Sequence, residues 1–195
     1  MQSMARIKKE LAEMQKLANQ KDSVSADTVG DSLLHWKGKV PGPEGSVYEG
    51  GLFIIDIKIP ENYPFVPPRM YFDTKIWHPN VSSANGAICL DILKSEWSPA
   101  LTLRTALLSI QALLTCPNPD DPQDAQVAGQ YKSDHKAWEN QARGWVKQYA
   151  TPMSVSEQKS KIDKLCAMGF EAPKVAKALE EAKWSEELAL NMLLA

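Results

Sequence analysis

The chain has 195 residues, with 22 basic and 24 acidic side chains and a formal net charge of −2. This balance argues against nucleic acid or an anionic membrane as the main partner. No run of about 18 apolar residues and no signal-peptide pattern stands in the sequence, so the expectation is a soluble protein of the cytoplasm, with the nucleus as a second compartment.

Met4, Ile7, Leu11, Met14 and Ala18 recur at spacings of three and four, which predicts an amphipathic helix over residues 4 to 18. Arg6, Lys8, Lys9 and Lys16 make its other face basic. Asn19 to Asp31 reads as a polar, turn-prone connection. Leu33 to Val40 is a predicted strand closed by Pro41-Gly42-Pro43. In Leu52 to Ile59, the residues Phe53, Ile55, Ile57 and Ile59 share one face of a strand, and Asp56 and Lys58 take the other. Tyr63 to Pro68 is expected to be extended, because its prolines fix the backbone and remove donors. Met70 to Phe72 resumes as strand. Short strands in direct succession, with no helical pattern between them, predict an antiparallel meander with one face to cover.

The cover is the next helix, capped by Thr102, with Leu103, Leu107, Ile110 and Leu114 as its apolar stripe and Cys116-Pro117 as its end. An acidic, proline-rich loop, Asn118 to Pro122, leads into two shorter helices, 123 to 133 and 134 to 149. Trp138, Ala142, Trp145 and Tyr149 share a face of the second, expected to be core. Thr151-Pro152 marks a linker over residues 151 to 155. The remaining forty or so residues hold three short helices, 156 to 167, 173 to 181, and one capped by Ser185 that runs to Leu194.

Chemistry concentrates between Trp77 and Trp97. His78-Pro79-Asn80 makes a stiff corner, Asn85-Gly86 a turn, and Cys89 follows between Ile88 and Leu90, with Asp91 and Lys94 close behind. An isolated cysteine in an apolar run is usually a small buried hydrophobe. The turn signal and the density of His, Asn and Ser instead predict a partly exposed loop thiol. No histidine adjoins it in sequence, and His78 is held by the proline that follows it. That pattern disfavours a protease thiol, which needs a paired base to attack an amide, and suits a thiol that receives an already activated acyl group. The other two cysteines, Cys116 and Cys166, are far away and Cys116 is expected to pack. An odd number of cysteines without a Cys-x-x-Cys pair fits a reducing compartment, and the three histidines, far apart in sequence, form no zinc motif, so no metal is expected.

His78-Pro79-Asn80, Gly86 to Leu93 and Trp97-Ser98-Pro99-Ala100 together resemble the active-site block of ubiquitin-conjugating enzymes. Tyr48-Glu49-Gly50-Gly51, Tyr63-Pro64-Phe65, Pro67-Pro68 and Asn118-Pro119-Asp120-Asp121-Pro122 extend the resemblance from Arg6 to Tyr149. It implies an α+β conjugating fold, a four-stranded antiparallel meander with flanking helices, over residues 1 to 150. It implies that Cys89 accepts ubiquitin from the activating enzyme as a thioester and passes it to lysine amines. Asn80 would then stabilise the oxyanion or order the loop, and Asp121 would orient the incoming amine or act as its base. His78, Leu90 and Asp91 would support the site. Leu108 would contact the tethered ubiquitin, and Arg6, Lys9, Phe65, Lys94, Pro99 and Ala100 would meet the activating enzyme or RING and HECT ligases. No cofactor is expected, since ATP is consumed by the activating enzyme.

In residues 156 to 195, Met168-Gly169-Phe170 and Leu193-Leu194 resemble the two halves of the binding patch of a ubiquitin-associated (UBA) domain, a three-helix bundle. Three helices in so few residues leave apolar side chains near the surface, as a binding patch requires. The combination resembles the class II conjugating enzymes of the 25 kDa type, which build polyubiquitin chains for proteasomal degradation.

Overall fold

The computed structural model describes residues 2–17, 23–152, 155–182 and 184–194. The chain forms two compact units, Met1–Thr151 and Pro152–Ala195. Ala18 at the end of the first predicted helix, the start of the polar connection, and residues 153 and 154 of the predicted linker lie outside the described residues. Among the described residues no helix is long and apolar enough to cross a membrane.

The first unit opens with α1 (Gln2–Leu17), which buries Ile7 and Met14 as its spacing predicts. Four strands follow, β1 (Ser25–Val29), β2 (Ser32–Pro41), β3 (Leu52–Lys58) and β4 (Arg69–Phe72), in an antiparallel sheet of order β1-β2-β3-β4. The first of these corrects the sequence reading, which left residues up to Asp31 as connection. Ser25-Ala26-Asp27-Thr28-Val29 is too short and too polar to announce a strand, and pairing with β2 (Ser25 against Lys39, Thr28 against Trp36) imposes it.

Alternation on the central strands sets the core. Phe53, Ile55 and Ile57 of β3 are fully buried, and Met70 and Phe72 of β4 join them. Across this face lies α2 (Leu103–Leu113), whose Leu103, Leu107 and Ile110 are fully buried. Gly38 on β2 permits the close approach: a methyl group there would sit 2.9 Å from Leu107 Cδ2. Thr102 caps α2 by accepting from Thr105 N, and the Thr105 hydroxyl accepts in return from Thr102 N at 2.8 Å.

Residues 63 to 65, the first half of the stretch expected to be extended, do not run so. They make successive turns, with Tyr63 N donating to Pro60 O at 3.0 Å and Phe65 N to Asn62 O at 2.9 Å, and the Tyr63–Pro64 peptide is cis. Prolines preset φ but do not choose between turn and strand, and here no neighbouring strand claims the segment.

Two helices close the unit, α3 (Ala125–Ser133) and α4 (His135–Trp145), capped by Asp124 and Asp134. Past Trp145 the helix widens into a π-type turn, Val146–Ala150. The added residue per turn breaks the predicted apolar face. Val146 and Ala150 are buried, whereas Tyr149 is exposed, edge-on to Trp145 and beneath the Lys75 ammonium at 5.4 Å.

The second unit comprises α5 (Val155–Cys166), α6 (Ala172–Glu181) and α7 (Glu186–Leu194). Its small core is built on Leu165, Val175, Leu179 and Ala189, with Phe170, Trp184 and Leu193 packed against it.

Candidate active site

The segment that carries Cys89 is a miniature hairpin fastened to the edge of β4. Val81 bridges Ile88, Ala87 bridges Tyr71, and Phe72 N donates to Gly86 O at 2.8 Å. Gly86 takes φ +72 at the turn, as Asn85-Gly86 predicts. Both hairpin apolar residues, Val81 and Ile88, are buried, so the intervening pleat leaves Cys89 half-exposed. Its amide donates to Asn80 O at 2.9 Å.

The histidine of the corner is fully buried beside the Tyr48 ring, and both its nitrogens are engaged. Nδ1 accepts from Asn80 N at 3.0 Å, which leaves Nε2 to donate to Leu113 O at 3.0 Å. Burial pulls its pKa down to about 4, against the upward pull of the Leu113 hydrogen bond. His78 is a neutral brace between the corner and the end of α2.

Asn80 is nearly as buried, at 2 % exposure. Its Nδ2 donates to Asn118 O at 2.8 Å and to Asp121 O at 3.0 Å, while Oδ1 accepts from Asn118 N at 2.8 Å. Pro79 O accepts in addition from Gln123 N and Asp124 N. One corner thus fixes the whole acidic loop and brings Asp121 to the thiol, where its Oδ2 lies 3.6 Å from Cys89 Sγ. From the other side of the sequence, a 3-10 turn at Asp91–Leu93 folds the chain back. Asp91 O accepts from Lys94 N at 2.8 Å, Leu90 packs on the core, and the Lys94 ammonium donates to Cys89 Sγ at 3.3 Å.

Cys89, Asn80, Asp121, Leu90, Asp91 and Lys94 therefore line one open cleft of about 280 Å³. Leu108 is not among its lining residues; it sits half-buried on α2 against the core. Phe65 stands 79 % exposed, and Pro99, Ala100 and Lys9 are exposed as well. Arg6 is half-buried instead, its Nη1 donating to Pro99 O at 2.6 Å and its Nε to Glu10 Oε1 at 2.8 Å. Sequence reasoning passed over Glu10, which stands among polar neighbours on α1 yet is 5 % exposed. Its one signal was position, three residues past Ile7 and so on the buried face. Cys116 is exposed rather than packed, because α2 ends at Leu113 and the turn that follows carries residue 116 outwards.

On the second unit, Met168 and Leu194 are exposed, while Phe170 and Leu193 are half-buried in its core. Leu188 and Met192, four residues apart on α7, are also exposed and were not read from the sequence.

Among the described residues, the half-exposed Cys89 thiol on its pinned hairpin is touched by an ammonium and a carboxylate and by no imidazole. Residues 6–146 match the family model of the ubiquitin-conjugating enzyme, and residues 157–193 match that of the UBA/TS-N domain. The chain is 48 % identical over 194 residues to human ubiquitin-conjugating enzyme E2 K, covering 98 % of this chain and 97 % of that protein. It is 50 % identical over 190 residues to ubiquitin-conjugating enzyme E2 27 of Arabidopsis thaliana, covering 97 % and 96 %. A solved ubiquitin-conjugating domain from Toxoplasma gondii superposes with a TM-score of 0.71 at 55 % identity, covering 75 % of this chain and 97 % of that one. The chain belongs to the ubiquitin-conjugating enzyme family and carries a UBA domain at its C-terminal end. Its activity is therefore that of a ubiquitin acyltransferase with a cysteine thioester intermediate, working between an activating enzyme and a ligase.

Proposed function

We propose that Cys89 is the carrier thiol and that ubiquitin passes from it to lysine amines to build polyubiquitin chains that direct proteins to the proteasome. The observation that carries this reading is the environment of Cys89 Sγ, 3.3 Å from Lys94 Nζ and 3.6 Å from Asp121 Oδ2, with His78 turned away and engaged elsewhere. In the first step a new C–S bond forms to Cys89 as the activating enzyme's C–S bond breaks, an exchange close to balanced that needs no paired base. In the second, the amine nitrogen bonds to the same carbonyl carbon, the Cys89 sulfur leaves, and the amine's proton must be taken up. Asp121, exposed at the mouth of the cleft, orients the amine and receives that proton. Asn80 acts by ordering the loop. No cofactor takes part in either step, because ATP is spent upstream.

Phe65, Pro99 and Ala100 form the ligase-docking patch, Lys9 meets the activating enzyme, Lys94 reaches the ligase or the carried ubiquitin, and Leu108 meets the carried ubiquitin. The second unit binds a further ubiquitin through Met168, Gly169, Phe170, Leu193 and Leu194, with Leu188 and Met192 adding apolar surface. A short tether holds that ubiquitin at an effective concentration of up to about millimolar, which favours successive additions. Three free cysteines suit the reducing cytoplasm and nucleus.

The test is a non-reducing gel after incubation with activating enzyme, ubiquitin and ATP, beside Cys89→Ala. A reductant-sensitive band heavier by one ubiquitin, absent from the variant, is expected. An equal band from Cys89→Ala would move the carrier role to another thiol.

A further inference from the structure

The two halves of the exposed docking patch come from different segments, and a buried carboxylate bonds to both. Phe65 belongs to the turns after β3, and Pro99 and Ala100 belong to the loop before α2. One direct hydrogen bond, from Trp97 Nε1 to Pro64 O at 2.7 Å, links the segments to each other. Glu10 of α1 lies beneath both.

Glu10 accepts from three donors. Oε1 accepts from Arg6 Nε at 2.8 Å and from Tyr63 OH at 2.8 Å, and Oε2 accepts from Leu103 N at 2.8 Å. Tyr63 is the second residue before Phe65, and its own carbonyl accepts from Ser3 Oγ of α1 at 2.6 Å. Leu103 N is an otherwise unsatisfied donor of the first turn of α2, three residues after Ala100. Arg6 completes the circuit by donating through Nη1 to Pro99 O, and its guanidinium lies 5.6 Å from the centre of the Tyr63 ring.

Burying a carboxylate at 5 % exposure is costly unless it is paired and fully hydrogen-bonded. Here that condition is met by donors drawn from both segments, Tyr63 beside Phe65 and Leu103 after Ala100, so the same bonds that satisfy the carboxylate also tie the two segments to one point. Tyr63 remains a phenol donor throughout, since burial and then the Glu10 charge raise its pKa, against the Arg6 charge. We propose that Glu10, with Tyr63 and Arg6, is a positioning group for ligase docking: it sets the separation of Phe65 from Pro99 and Ala100. The proposal rests on the reading of that patch as the ligase surface. It assigns Arg6 an internal task, and none of the network's side chains need touch the ligase.

The test is single-turnover discharge of the full-length protein's ubiquitin thioester to free lysine, titrated with a RING domain selected because it stimulates the wild-type chain. Tyr63→Phe removes one donor and keeps the ring. It is expected to raise the half-saturating RING concentration about fivefold, the loss of one net hydrogen bond. The plateau rate, the unstimulated discharge and loading by the activating enzyme are expected to stay within about twofold of wild type. Glu10→Gln must turn its amide donors on either Arg6 Nε or Leu103 N, and should shift the titration further, by about tenfold. Phe65→Ala separates the two layers of the argument. If it shifts the titration and Tyr63→Phe does not, the positioning role is overturned and the docking surface stands. If Phe65→Ala titrates like wild type, the docking surface falls and the positioning role falls with it. A parallel loss of plateau, unstimulated discharge and loading in Tyr63→Phe would reduce the network to a fold-stabilising one and likewise overturn the proposal.

Discussion

Asn80 and Asn118 hold each other by two reciprocal hydrogen bonds, Asn80 Nδ2 to Asn118 O and Asn118 N to Asn80 Oδ1, both at 2.8 Å. The second Asn80 amide hydrogen goes to Asp121 O, so neither is free to point at an oxyanion. Asn80→Ala removes three bonds from a buried position, a loss of about 2–3 kcal/mol at roughly 1 kcal/mol each. Loading of ubiquitin should survive, while discharge to lysine should fall by about a hundredfold as Asp121 loses its place. Amide exchange of the loop from Asn118 to Asp121 should quicken in step. Slow discharge with unchanged exchange would point to an oxyanion donor instead.

His78 makes the stability of the first unit pH-dependent. Its folded pKa, about 4, lies below the ordinary value of 6.5, so the folded state keeps it neutral while the unfolded chain takes up a proton as pH falls. The stabilisation is complete above pH 6.5 and is lost progressively as pH falls towards the folded pKa. Between pH 7 and pH 5 the loss from this residue is about 2 kcal/mol. Urea unfolding followed by tryptophan fluorescence reads mainly this unit, since Trp36, Trp77, Trp97, Trp138 and Trp145 lie in it and only Trp184 does not. A variant such as His78→Asn should be less stable at neutral pH but show a flatter pH dependence. An equally steep profile in that variant would assign the dependence to other groups.

The sequence made the α2 stripe, the central strand and the position of Cys89 legible because each rests on local pattern: heptad-like spacing, alternation, and an Asn-Gly turn. β1 was hidden because Ser25 to Val29 gains its conformation from Lys39, Gly38, Lys37 and Trp36 across the sheet. Tyr149 was misplaced because the π-type turn at Val146–Ala150 changes the period in mid-helix. Within the site, the contact of Lys94 and Asp121 with one sulfur could not be read. Asp121 is 32 residues away and arrives through the bonds of Asn80. Glu10 was invisible for the opposite reason, since a carboxylate on a charged helix looks solvated until its partners, Tyr63 and Leu103, are in place.

Asp121 and Asp120 are neighbours with different surroundings, which offers an internal control. Asp121 Oδ2 faces Cys89 Sγ, whereas Asp120, with its side chain 85 % exposed, pairs with Lys132 at 2.8 Å. Asp121→Ala should slow discharge to lysine by about tenfold to a hundredfold, as loss of an acid–base group does, with loading unaffected. Asp120→Ala should leave discharge within about twofold, because an exposed ion pair contributes little. Stability should change by no more than about 0.5 kcal/mol in either variant. Equal effects of the two substitutions would indicate that the loop's overall charge, and not the placement of one carboxylate, governs the amine.

Gly86 and Gly30 both adopt left-handed backbone, at φ +72 and +58, yet only one is also enclosed. A methyl group on Gly30 would meet nothing within 4 Å, so Gly30→Ala should cost only the conformational penalty, about 1–2 kcal/mol. On Gly86 it would fall 2.0 Å from Phe72 O and 2.9 Å from Phe72 C, which are backbone atoms and cannot rotate aside. The hairpin would have to lift from β4, breaking the bond from Phe72 N to Gly86 O that holds it there. Gly86→Ala should therefore lose about 2–3 kcal/mol by urea unfolding, the sum of the conformational cost and the lost anchorage. Loading of Cys89 should fall in the fraction that remains folded, since Ile88 leaves the core with the hairpin. Equal destabilisation by the two substitutions would mean that the hairpin is not seated against β4 in solution.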